Sequence, residues 1–251
     1  MGLAEITADV DSTEKTLTIR NRDEPEPIVG MLKRMVDAPD VRIREDEPAE
    51  GSPGNLVILE GAEEGTEQLA ISSIADVGNS VLMVNSDLYV TGTRSIDEVE
   101  TPAVLAGLDE TTFTVSGKQK MLLIEISRHV EALAYRSGGS TLHTGFQHLA
   151  RIEDERGTKS VYERLVDAGV AVHVYGSPDG VPSLADELTV HADDGEEIRT
   201  SWFVVNTDCP DEFKGALLAT EIGTNEWTGV WTFDPSVVDR VAAYLDETYG
   251  T

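Results

Sequence analysis

The run from Lys120 to Gly176 constrains the fold of this chain most. It places an amphipathic helix, two glycines, a short aromatic segment, a second helix and an apolar strand in close succession. Leu122, Ile126, Val130 and Leu133 recur at helical spacing and predict one apolar stripe. Glu125 and Arg128, three apart, fall on the wet side as a mild local pair. Gly138 and Gly139 end this helix, because glycine takes the left-handed conformation that helix ends favour. Thr158, after Gly157, is the expected N-cap of the second helix. Val161, Tyr162, Leu165 and Val166 form its buried side, and Gly169 stops it. Val170, Val172 and Val174 then alternate with Ala171, His173 and Tyr175. A strand that is mostly apolar on both faces belongs inside a sheet.

The remaining elements arrange themselves around that run. Residues 3–14 predict a short acidic helix, and Thr16–Ile19 a strand. Ile28, Met31, Leu32, Met35 and Val36 have helical spacing, with Pro27 in the first turn and Pro39 closing the helix. Val41–Arg44 and Leu56–Leu59 read as strands on either side of a breaker-rich loop. Residues 69–77 fit either state. Val81–Val84 and Leu88–Val90 are short apolar runs around Asn85, Ser86 and Asp87, which predicts a hairpin. Leu188–His191, Trp202–Val205, Ala216–Ile222 and Val230–Phe233 are further strands, with a turn at Asp193, Asp194 and Gly195. Asp234 and Pro235 open a last helix as N-cap and first residue, and Val238, Val241, Ala242 and Leu245 make its stripe. Successive strands with short gaps favour antiparallel pairing. The expected class is α/β of the α+β kind, a mixed and largely antiparallel sheet flanked by helices. A weak boundary between Ile96 and Asp109 divides an N-terminal α/β region, 1–107, from a domain at 108–251.

Composition limits the partners. The 251 residues include 47 acidic and 19 basic ones, for a formal net charge of −28. The acids are dispersed rather than gathered in a tail, which points to a surface adapted to high salt. There, charges are screened over about 3 Å at 1 M. Such a surface repels phosphate backbones, so no nucleic-acid partner is expected. Cys209 is the single cysteine and cannot form an intrachain disulfide. No basic leader, and no window near the roughly 18 apolar residues of a spanning helix, stands in the sequence. A cytoplasmic protein without direct membrane insertion is the expectation.

Chemical signatures are absent. No G-x-S-x-G elbow, G-x-G-x-x-G or phosphate loop occurs, and Gly176–Gly180 reads as a turn. His143 and His148 would lie apart in a strand or a helix, so no shared metal is expected. His129, His173 and His191 look scattered, and His173 reads as a core histidine. No metal, cofactor or catalytic residue is assigned. The candidate ligand site is the cluster Phe146, Gln147, Arg151, Arg156, Tyr162, Glu163 and Arg164. Three arginines within fourteen positions stand out in so acidic a chain and suit a small anion or a partner. Their pairing with Glu153, Asp154, Glu155 and Glu163 is the plainer alternative. Trp202 is expected in the core, and Trp227, between Glu226 and Thr228, as an exposed contact for a ligand or a partner.

The segments LLIEISRHVEALAYRSGG, LHTGFQHLARIEDERGTKSVYERL, VHVYG, SWFVV and GVWTFDPSVVDRVAAYL resemble, in order and spacing, the DICT domain. The resemblance is best over about 110–247 and is to stand-alone haloarchaeal-type members. It implies a sensory or regulatory module in light- or environment-linked signalling. Helices at both ends of the sheet suggest a GAF- or PAS-like shape. The reading is a non-enzymatic signalling protein that binds a small anionic ligand or a protein partner, with a homodimer left open. The rivals are a hydrolase-like enzyme and a ligand-free structural adaptor. A concave pocket at Arg156 and Tyr162 favours the sensor, a carboxylate–histidine pair in a cleft the enzyme, and a flat apolar patch the adaptor.

Overall fold

The computed structural model describes residues 2–11, 13–21, 23–35, 38–47, 53–61, 68–83, 95–116, 120–154, 156–180 and 186–250. After α1 (Leu3–Ala8) come β1 (Lys15–Arg20), α2 (Glu26–Met35), β2 (Val41–Asp46), β3 (Leu56–Gly61), β4 (Gln68–Ser73) and α3 (Ile74–Met83). The four strands form one sheet in the order β2-β1-β3-β4. The β1–β2 pair is parallel, as its helical crossover α2 requires, and the other two pairs are antiparallel. Residues 81–83 end a helix instead of opening a hairpin. Ile74, Val77 and Val81 are also spaced as one helix face, and a short apolar run fits either state. The expected strand Leu88–Val90 lies outside the described residues.

A 3-10 turn (Ile96–Glu98) and α4 (Ala103–Ala106) lead to the second sheet. It is built from β5 (Phe113–Ser116), α5 (Lys120–Ser137), β6 (Thr141–His148), α6 (Arg151–Asp154) and α7 (Arg156–Asp167). Then follow β7 (Ala171–Ser177), β8 (Thr189–Ala192), α8 (Glu196–Thr200), β9 (Ser201–Thr207), β10 (Gly215–Gly223), β11 (Glu226–Thr232) and α9 (Pro235–Tyr249). Seven strands pair in the order β5-β11-β10-β9-β6-β7-β8. The run from β5 to β6 is antiparallel, and β6-β7-β8 is parallel. The chain is therefore a mixed, largely antiparallel α+β fold flanked by helices. Its β7 lies inside the sheet, between β6 and β8, as its apolar pattern predicts, with Val172 and Val174 buried on one face and Tyr175 on the other, where Ala171 is exposed and His173 half-buried.

Helix α5 lies between the sheets. Leu122, Leu123 and Ile126 share one core with Leu17, Ile19 and Leu59 on one side and Leu217, Trp227 and Trp231 on the other. The opposite face of the seven-stranded sheet is covered by Leu3 and Ile6 of α1, Ile198 of α8, and Val238, Val241 and Leu245 of α9. The last helix starts as expected: Asp234 accepts from the Ser236 N–H at 2.8 Å, with Pro235 at the first helical position. Gly138, Gly139 and Gly169 carry the positive φ of helix ends.

Two local expectations need correction. Glu125 and Arg128 are not on a wet face, since each is only 1% exposed. With α5 enclosed, its polar side turns inward: Ser80 donates to Glu125 at 2.9 Å, and Arg128 pairs with Glu131. Thr158 is not an N-cap, because α7 begins at Arg156 and leaves Thr158 inside its first turn. Among the described residues, no helix is long and apolar enough to cross a membrane.

Candidate functional site

Between α5, β6, α7 and β9 lies a cavity of about 300 Å³. Ile124, Ser127 and Glu131 reach it from α5, Thr158 and Tyr162 from α7, and Trp202 and Val204 from β9. Strand β6 contributes four consecutive residues, Thr144 to Gln147. A regular strand would turn every second one away. The register between β6 and β7 shifts between Gly145 and His148, and Gln147 has φ of 62°. This bulge lets Phe146 and Gln147 face the same space. Non-glycine residues at positive φ cost energy and are held only where the surroundings demand them.

The floor is a buried polar network. Tyr162 donates to Glu131 Oε1 at 2.8 Å and meets Thr144 Oγ1 at 3.0 Å. Arg128 pairs with Glu131 Oε2 and extends to Thr158 Oγ1 at 3.5 Å. Arg128 and Glu131 are 1% and 2% exposed. Burial pushes the Glu131 carboxyl up, against the pull of Arg128 and of its hydrogen bonds. Burial, reinforced by Glu131, pushes the Tyr162 hydroxyl well above its ordinary value. This phenol stays protonated and donates. α5, β6 and α7 are thus tied together at one point below the cavity.

The walls and rim differ in character. Phe146 meets Tyr162 edge-on with ring centres 5.5 Å apart, and Trp202 donates to Ser127 Oγ at 3.2 Å. Arg151 donates to Gln147, whose amide in turn donates to the Arg199 carbonyl and to Glu221 at 3.0 and 3.1 Å. Lys120 is the second cation on the lining. Its pKa is lowered, first by burial and then by Arg151, with Glu221 opposing.

Of the residues singled out from sequence, Phe146, Gln147, Arg151 and Tyr162 line this one cavity. Glu163 is exposed on α7, away from the lining, and Arg164 pairs with Asp97 at 3.3 Å. Arg156 begins α7, and its side chain lies outside the described residues, as do those of Glu153, Asp154 and Glu155. The tryptophans exchange roles. Trp227 is 1% exposed and sits in the core, edge-on to Trp202 at 5.7 Å, with Lys120 Nζ over its ring at 5.6 Å. Trp202 is the one that faces the cavity. On β11 the Trp227 side chain points to the same side as Trp231, into the layer that α5 covers, so its polar sequence neighbours are no guide. Glu131, Thr144 and Thr158 were missed. Glu131 lies on the face of α5 opposite the Leu122, Ile126, Val130 and Leu133 stripe, a face that reads as solvated, so helical spacing carried no signal for it.

The histidines are not all scattered. The β6–β7 register sets His143 beside His173, and His191 follows on β8. His148 meets Asp179 at 2.9 Å and Ser177 Oγ at 2.9 Å, both through Nδ1. A serine–histidine–aspartate relay needs its two partners on different ring nitrogens. This trio therefore cannot pass a proton from Ser177 to Asp179 through the ring.

Residues 103–221 match the family model described as DICT, a sensory domain in diguanylate cyclases and two-component systems. No curated protein matches the chain. Among solved structures, the archaeal chromatin protein TrmBL2, reported with a novel mode of DNA binding, is 18% identical with a TM-score of 0.38. That match covers 60% of this chain and 54% of TrmBL2. Polyphosphate kinase from Porphyromonas gingivalis is 12% identical with a TM-score of 0.36, over 97% of this chain and 47% of the kinase. The chain thus spans about half the length of either protein, and at these TM-scores neither likeness says anything of its function.

Proposed function

With residues 103–221 a DICT domain, we propose that this chain is a non-enzymatic sensory protein whose input is a small anionic ligand in the cavity at Glu131, Thr144 and Tyr162. The carrying observation is the convergence there of a buried, hydrogen-bonded floor, aromatic walls and two cations. Its volume, about 300 Å³, is at the small end of ligand sites. An apolar or flat body would lie against Phe146 and Trp202. An acidic group would sit near Lys120 and Arg151, where a negative charge relieves two like charges.

Signalling would follow from the joint that the floor makes. A ligand that fits one arrangement of α5, β6 and α7 better than another shifts their populations. Helix α5 also touches the N-terminal part, where Ser80 bonds Glu125. We therefore assign sensing to 108–251 and transmission to a protein partner to 1–107, in a salt-rich cytoplasm.

Native mass spectrometry of the full chain from its own source, in concentrated ammonium acetate, tests this. The expected result is a retained small molecule that Arg151→Ala loses while its circular dichroism is unchanged. Repeated wild-type preparations with no adduct, or an adduct equally retained by Arg151→Ala and Trp202→Ala, would overturn the proposal.

A further inference from the structure

The geometry points to a second site, on the opposite face of the seven-stranded sheet, where His143, His173 and Asp246 hold a divalent transition-metal ion. The parallel β6–β7 register places His143 against His173, with ring centres 4.9 Å apart. Helix α9 crosses this face and brings Asp246 to them. One nitrogen of each ring and one carboxylate oxygen all lie within 4.8 Å of one another. Ligand atoms at about 2.0–2.2 Å from one ion stand about 3–4 Å apart. Asp246 is exposed, so a rotamer change can close the difference.

The hydrogen bonds select the ligating atoms. His191 Nδ1 is 2.9 Å from the Tyr249 carbonyl, which can only accept, so this nitrogen carries the hydrogen. In the neutral ring, His191 Nε2 then has a lone pair. His173 Nδ1, 3.1 Å away, donates to it, which leaves the lone pair of His173 on Nε2. His143 Nδ1 is bonded to the Tyr175 hydroxyl at 2.8 Å. His143 Nε2 is buried and has no hydrogen-bond partner among the described residues, although the residue is only 1% exposed. An unpartnered ring nitrogen at that depth is costly unless something else occupies it. Metal-binding histidines characteristically have the other ring nitrogen engaged by the protein, as both are here.

Two imidazoles and one carboxylate suit zinc or ferrous iron better than magnesium or calcium, which prefer oxygen. Asp246 also lines a cavity of about 590 Å³ with Asp208, Cys209 and Asp239, which offers an acidic route in and room for water to complete the coordination. His143 and Thr144 are consecutive on β6 and face opposite ways, so the ion bears on the same strand that floors the first cavity.

Zinc titration of the full chain, with Mg²⁺ in excess to occupy the diffuse acidic surface, tests the site. One Zn²⁺ per chain is expected, and Co²⁺ in its place should show the visible bands of nitrogen ligation. Tyr175→Phe, which removes only the hydroxyl on His143, should weaken zinc about 10–100-fold. His173→Gln and Asp246→Asn should each weaken it by at least as much, with metal-free circular dichroism unchanged. If His173→Gln does not fold, the exposed Asp246→Asn decides alone. Zinc uptake that Mg²⁺ abolishes, or that Asp246→Asn leaves intact, overturns the site.

Discussion

Replacing Tyr162 with Phe isolates the joint beneath the first cavity. The ring is fully buried and meets Phe146 edge-on, so Phe keeps the packing and opens no large void. What disappears is one hydroxyl with two bonds, to Glu131 at 2.8 Å and Thr144 at 3.0 Å. A hydrogen bond to a charged group contributes about 1.5–3 kcal/mol, and a neutral one about 0.5–1.5. Glu131 keeps Arg128, which limits the loss, so a net cost of about 2–3 kcal/mol is expected. For a chain of this length that lowers the melting temperature by about 4–12 °C. Thermal and urea unfolding, followed by circular dichroism at one fixed KCl concentration, measure it. The same substitution in a Glu131→Gln background should cost less, because the acceptor is then neutral. A loss below about 0.5 kcal/mol would mean that the hydroxyl is idle and that the joint is not where the structure puts it.

Four further outcomes are expected. Leu245→Ala should cost about 2–5 kcal/mol, because Leu245 is buried against the far face of the sheet; Asp234→Ala, which removes a cap, should cost about 1 kcal/mol, and a neutral Leu245→Ala in urea unfolding would undock α9. His129, held down at about 4 by burial and then by Arg136, stays neutral in the fold, while the unfolded chain takes up a proton below about 6.5. Its contribution is therefore whole above pH 6.5 and falls by about 3 kcal/mol as pH drops to 4, so His129→Gln should flatten that part of the stability profile. With a net charge of −28, the melting temperature should climb as KCl rises from about 0.1 M to molar levels, and a flat curve would remove the salt-adaptation argument.

Periodicity and punctuation in the sequence were enough to place the main elements. The stripe of α5, the stop at Gly138 and Gly139, the apolar strand β7 and the Asp234–Pro235 start of α9 all rest on interactions within a few residues, and local chemistry decides them. The DICT resemblance, too, was carried by such segments, and residues 103–221 match that family model. The site was legible only in part. Phe146, Gln147, Arg151 and Tyr162 fall in one short stretch, yet that they share a cavity depends on a bulge that no spacing rule announces. The reversed roles of Trp202 and Trp227, the inward turn of Glu125 and Arg128, and the meeting of His143 with His173 and Asp246 follow from neither neighbours nor period. Each depends on which strand lies beside which, in what register, and on what covers the sheet. Those choices are made by contacts between residues far apart in the chain, and only the folded structure brings them together.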